Sequence, residues 1–145
     1  MMIEKHKLSE LIPHSGAMCL LDGVLEWNET HIRCQSRTHR DPGNPMRRRD
    51  RLHAVCGIEY VSQAMAAHAA LRHAGKGRSR KGYLASVRNF ALAVERLDSI
   101  EGDLIIEADQ VMAEDQRALY DFRISAEGKV LMTGRAAAVF EAPLP

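Results

Sequence analysis

Residues 57–75 read GIEYVSQAMAAHAALRHAG, a run dense in Ala and Met with Ile58, Val61, Met65 and Leu71 as larger apolar anchors. Such a composition predicts a buried helix from about Ala54 to His73. Near its start stand Glu59 and Gln63, a carboxylate and an amide one turn apart. A carboxylate inside a core is costly unless it is paired, hydrogen-bonded or protonated, so this pair calls for a reason beyond packing. The i, i+4 spacing sets both groups on one helix face, where they can share a small polar chamber.

The surrounding chain bounds the possibilities. Its 145 residues are 46% hydrophobic, enough for one core, and no segment divides them, so residues 1–145 are expected to form a single domain. A formal net charge of +1 argues against wholesale nucleic-acid binding and leaves only local basic effects. Cys19, Cys34 and Cys56 are odd in number and lack C-x-x-C spacing, which suggests neither a disulfide framework nor a zinc site. Reduced thiols fit a cytoplasmic protein. The segment MMIEKHKLSEL is too polar for a secretory signal, and no apolar run approaches the ~20 residues that span a bilayer.

Outward from the helix, the pattern changes. LSELIPHSGAMCLLDGVLEW (8–27) opens with a short helical turn for which Ser9 is a plausible cap, and breaks at Pro13 and Gly16. From Gly23 to Ser36 apolar and polar residues partly alternate, with Asn28 and Glu29 as a turn between two extended pieces. THRDPGNPMRRRDR (38–51) is a loop with a basic tip, and GKGRSRKG (75–82) is a second basic connection. Beyond it, GYLASVRNFALAV, GDLIIEADQVMAE, RALYDFRISAEG and KVLMTGRAAAVFEA read as four successive strands parted by turn-formers at 101–103 and 127–129. One helix covers a sheet of that size only if the sheet curls around it.

Four stretches in this order, LIPHSGAMCLLDGVLEW, HRDPGNP, GIEYVSQAMA and the closing GYLASVRNFAL through GKVLMTGRAAAVF, resemble the hotdog-fold 3-hydroxyacyl-(acyl carrier protein) dehydratases. They are most similar to the branch associated with aryl-polyene pigment clusters. The resemblance implies an α+β hotdog fold, a curved antiparallel β-sheet wrapped around one long central helix, paired at least into a dimer. It further implies a loop His and a helix Glu that face each other, usually from different protomers, with a Gln one turn later that positions a water. By motif Glu59 falls on the acid, Gln63 on the glutamine, and His39 is the best candidate for the histidine. His53, six residues before Glu59, is a second candidate, and the backbone N–H groups of Ala54 and Val55 are expected to polarise the thioester carbonyl. The family has His, an aromatic residue and then Pro, whereas His39-Arg40-Asp41-Pro42 holds one residue more, and RRRDRLHAV replaces a short apolar loop.

Eliminating water from a 3-hydroxyacyl thioester needs a base for the C2 proton, an acid for the departing hydroxyl, and donors where enolate charge develops. His39 suits the first role and Glu59 the second. No metal or redox cofactor is implied, because the substrate arrives on the phosphopantetheine of an acidic acyl carrier protein. Arg48, Arg49, Arg78 and Arg80, with their basic neighbours, are candidates for docking that carrier. His14 is expected to order its turn, His68 to be packed or at an interface, and His73 to act as a helix C-terminal cation. Two alternatives stand beside the dehydratase: a non-catalytic partner subunit of a heteromeric hotdog dehydratase, and a hotdog acyl thioesterase using Glu59 as base or nucleophile.

Overall fold

A computed structural model describes residues 2–12, 16–73 and 82–140. The element order among them is β1 (Ile3–Glu4), α1 (Lys5–Leu11), β2 (Gly23–Trp27), β3 (His31–Ser36), α2 (Gly57–Arg72), β4 (Gly82–Leu92), β5 (Leu104–Ala113), β6 (Arg117–Ala126) and β7 (Lys129–Phe140). The strands form one sheet in the order β1-β2-β3-β5-β6-β7-β4, each pair antiparallel. The curved sheet and central helix are those of the hotdog fold.

The anticipated turns are present. Asn28 accepts the Thr30 N–H on its side-chain oxygen at 2.9 Å, closing the β2–β3 connection. Glu127 (φ 52°) and Gly128 (φ 77°) make the two-residue β6–β7 hairpin, whose paired positive φ values match the strand twist. Register shifts at Val24/Glu26, Gln110/Met112 and twice in β4 mark bulges that add bend to the long strands. This curvature lets one helix fill the concave face.

Helix α2 buries Gly57, Tyr60, Val61, Gln63, Ala64, Met65, Ala67 and His68, a stripe recurring every three or four residues. Against it pack Ile32, Cys34, Leu104, Ile106, Ala108, Tyr120, Ile124 and Met132 from the inner face of the sheet. The small residues let the sheet come close: a Cβ on Gly57 would lie 2.7 Å from Met132 Cε and 2.9 Å from Ile124 Cδ1. Ile58 and Leu71 are only half-buried.

Two local expectations are corrected. Residues 54–56 form a separate 3-10 turn ahead of α2, because the Ala54 N–H is drawn to the Glu95 carbonyl at 2.9 Å. Ser9 lies inside α1, where its hydroxyl donates to the His6 carbonyl at 3.0 Å, so it caps nothing. Strand β1, unforeseen in the sequence, pairs Ile3 with Val24.

At the far end of α2, His68 is fully buried. Its Nε2 donates to the Asn28 carbonyl at 2.9 Å, which leaves Nδ1 to accept the Tyr120 hydroxyl at 2.7 Å. Gln110 Nε2 in turn donates to Tyr120 at 3.2 Å and Arg72 to Gln110 Oε1 at 2.8 Å. This is the packed histidine that its helix position suggested, and burial holds its pKa below the ordinary value. Among the described residues, no helix is long and apolar enough to cross a membrane.

Candidate active site

The start of α2 meets two loops at a single residue, Leu20. The Leu20 N–H donates to Gln63 Oε1 at 2.8 Å, while the Leu20 carbonyl accepts the hydroxyls of Ser36 at 2.6 Å and Thr38 at 2.7 Å. Gln63 Nε2 donates to the Met18 carbonyl at 2.7 Å and to Glu59 Oε1 at 3.3 Å. Both ends of the amide are therefore engaged by the protein: one face fixes residues 18–20 and the other orients the half-buried Glu59 carboxylate.

Tyr60, the residue after Glu59, ties the helix to the loop that carries His39. With the Thr38 hydroxyl proton committed to Leu20, Tyr60 donates to Thr38 Oγ1 at 2.8 Å and accepts from Asn44 Nδ2 at 3.0 Å. Asn44 also donates to the Thr38 carbonyl at 2.8 Å. Burial pushes the Tyr60 pKa up, so the hydroxyl stays protonated and available as this donor.

His39 sits in the 3-10 turn Thr38–Arg40 and is fully buried. Its Nε2 is 2.9 Å from the Ile100 carbonyl, which can only accept. The proton therefore lies on Nε2, and Nδ1 makes no hydrogen bond among the described residues. Burial is the main cause of a lowered pKa, which keeps the ring neutral near pH 7. The ring is thus a neutral imidazole with its tautomer fixed by a carbonyl and a free lone pair on the other nitrogen.

The remaining candidates divide. His53 is exposed, and its backbone bridges Arg96. Of the two expected backbone donors, Ala54 is already bonded to Glu95, whereas Val55 is 51% exposed at the start of the helix. Arg48 and Arg49 are exposed on a tight turn closed by two backbone bonds between Arg48 and Arg51, with Arg49 and Asp50 both at positive φ. Arg78 and Arg80, like His14, lie outside the described residues. Reading the sequence did not single out Thr38, Asn44 or Tyr60. The available signal was Tyr60 itself, since a Tyr on the buried face of a helix needs a partner for its hydroxyl.

A family model described as ApeP-like, ApeP dehydratase, matches residues 6–143. A search of curated protein sequences finds no match. Among solved structures, the chain is similar to the dehydratase heterocomplex ApeI:P from Xenorhabdus doucetiae, with 24% identity over 93% of this chain and 91% of that one and a TM-score of 0.84. It is also similar to a mutant of the thioesterase PA1618 from Pseudomonas aeruginosa, with 14% identity, 94% and 93% coverage and a TM-score of 0.62. Zebra fish thioesterase superfamily member 2 shares 16% identity over 94% of this chain and 95% of that one, with a TM-score of 0.64. At these identities the structural likenesses speak for the fold. The match to the family model spans nearly the whole chain and all of the residues just described, and by it the chain belongs to the ApeP-like dehydratase family.

Proposed function

We propose that the chain dehydrates 3-hydroxyacyl groups held as thioesters on an acyl carrier protein, in fatty-acid or polyene-type biosynthesis in the cytoplasm. The observation that carries this reading is a neutral, tautomerically fixed His39 with an unpartnered Nδ1, on a loop that Tyr60 ties to the helix where Gln63 holds the Glu59 carboxyl group. His39 Nδ1 takes the C2 proton, and the electrons of that C–H bond move toward the thioester oxygen. The Val55 N–H at the start of the helix is the candidate donor to that oxygen. Return of the charge forms the C2=C3 double bond and expels the C3 hydroxyl, which leaves as water with the proton of Glu59. Gln63, bonded to main chain on both sides, holds the carboxyl group in place. The elimination needs no metal or redox cofactor, because the substrate's own thioester stabilises the charge and phosphopantetheine delivers it.

Partner assembly follows from β4. This strand's described neighbour is β7 alone, and it exposes Tyr83, Phe90 and Leu92. A second hotdog protomer, identical or different, covers such an edge by continuing the sheet. The heteromeric form accords with ApeI:P, described as a dehydratase heterocomplex. A second reading, in which this protomer supports a catalytic partner, is favoured by one observation: His39 has no exposed surface in the single chain.

Glu59→Gln separates the readings. The amide keeps the shape and removes the transferable proton, so dehydration of a 3-hydroxyacyl thioester should fall roughly 10²- to 10⁴-fold with folding intact. Unchanged activity in the assembled complex would assign the chemistry to the partner. Release of free thiol in place of the unsaturated thioester would identify a thioesterase.

A further inference from the structure

The loop between β4 and β5 touches both halves of the candidate site, and one carboxylate anchors it. Asp98 Oδ1 accepts the Leu52 N–H at 2.8 Å and Arg96 Nε at 3.0 Å, and Asp98 Oδ2 accepts Arg96 Nε at 3.1 Å and Arg96 Nη2. Its side chain is only 7% exposed. The backbone repeats the attachment: Leu97 N–H bonds the Leu52 carbonyl at 2.8 Å and Ala54 N–H bonds the Glu95 carbonyl at 2.9 Å. A tight turn then returns Ile100 N–H to the Leu97 carbonyl at 3.0 Å. The next group along is the Ile100 carbonyl, which receives His39 Nε2.

We infer that Asp98 is a positioning residue of the candidate site, its carboxylate fixing the Glu95–Ile100 loop on the start of the central helix and thereby setting where the Ile100 carbonyl holds His39. The inference rests on His39 being the base of the proposed elimination. Asp98 touches no reacting atom. It joins the segment leading to the candidate thioester-binding N–H to the carbonyl that fixes the base's tautomer, two parts that arise from residues 52–55 and 100. The Arg96 guanidinium beside Asp98 holds its carboxyl well below the usual carboxylate range, so the anchor stays ionised at every working pH. The charged groups around His39 are Arg40, which disfavours its protonation, and Asp103, which favours it, while Arg47 binds its carbonyl oxygen at 3.2 Å.

The test uses the full chain, assembled with its partner subunit if one is required, and follows the His39 ring by proton NMR titration alongside steady-state kinetics. Asp98→Ala should move the His39 pKa up toward the ordinary ~6.5 as the enclosure loosens, and shift the acid limb of the kcat profile with it. It should also lower kcat about tenfold or more with KM within about twofold, as expected when a base is displaced. Asp98→Asn, which keeps an acceptor for Leu52, should lie between wild type and Asp98→Ala. If Asp98→Ala does not fold, Arg96→Met removes one anchor and should give the same effects in weaker form. An Asp98→Ala protein, or failing that an Arg96→Met protein, with wild-type His39 titration and kcat overturns the inference. The titration is read without turnover, so it judges Asp98 even where Glu59→Gln shows that the elimination reading is wrong.

Discussion

Replacing Gln63 tests whether its amide is the joint between the helix and residues 18–20. Gln63→Ala removes three hydrogen bonds and leaves the buried Leu20 N–H and the Met18 carbonyl without their side-chain partner. Taking ~1–2 kcal/mol for each of these two backbone groups gives roughly 2–4 kcal/mol. At ~3 °C per kcal/mol for a chain of 145 residues, Tm should fall by roughly 6–12 °C. Gln63→Glu is the sharper variant, because its carboxylate still accepts from Leu20 but then faces the Met18 carbonyl and Glu59 as a third acceptor. That arrangement raises the new group's folded-state pKa above its unfolded value of ~4.3, so stability is intact below ~4.3 and is lost as pH rises through the folded value. Differential scanning calorimetry and urea unfolding across this range should show Gln63→Glu near wild type in acid and well below it at neutrality. A Gln63→Ala protein with the wild-type Tm, or a Gln63→Glu protein whose deficit ignores pH, would refute the joint.

Other consequences are open to measurement. His39 and His68 both have folded-state pKa values lowered by burial, so their stabilisation is complete above the unfolded ~6.5 and is lost below it at ~1.4 kcal/mol per pH unit for each ring, which urea midpoints should report. A Cβ on Gly134 would lie 2.6 Å from Phe122 Cζ and 3.3 Å from the Arg88 carbonyl, so Gly134→Ala should cost ~1–3 kcal/mol in urea unfolding. Serine at Arg48 and Arg49 should raise the apparent KM for carrier-bound substrate and flatten its salt dependence, while turnover of a small soluble thioester stays at the wild-type level; equal losses on both substrates would make the turn structural.

Local pattern was legible where local forces decide it. The Ala-rich run of α2, the Asn28 turn and the Glu127–Gly128 hairpin could all be read from the sequence, because helix preference, side-chain turn bonds and positive φ act within a few residues. The 3-10 turn at Ala54 could not be read, since the Glu95 carbonyl that shapes it is distant in sequence. The same holds within the site. Glu59 and Gln63 were visible from their spacing, but the main-chain bonds that Gln63 makes to residues 18 and 20 were not. Likewise the enclosure of His39 depends on Ile100, and the role of Tyr60 depends on Thr38 and Asn44, contacts that only the folded chain creates.

The position of β4 in the sheet has a consequence for how the chain is born. It precedes β5, β6 and β7 in sequence, yet its hydrogen-bonded neighbour in the described sheet is β7. Strands β5, β6 and β7 can zip as a meander through short connections, a fast and local process. Strand β4 has no partner until β7 is complete, and throughout that interval it presents Tyr83, Phe90 and Leu92 on an unpaired backbone. Emerging from the ribosome, the protein therefore passes through a period in which an apolar strand waits for a partner that is made last in the sheet. That window is where self-association during expression should concentrate, and where co-expression of a pairing subunit or a chaperone should raise soluble yield most.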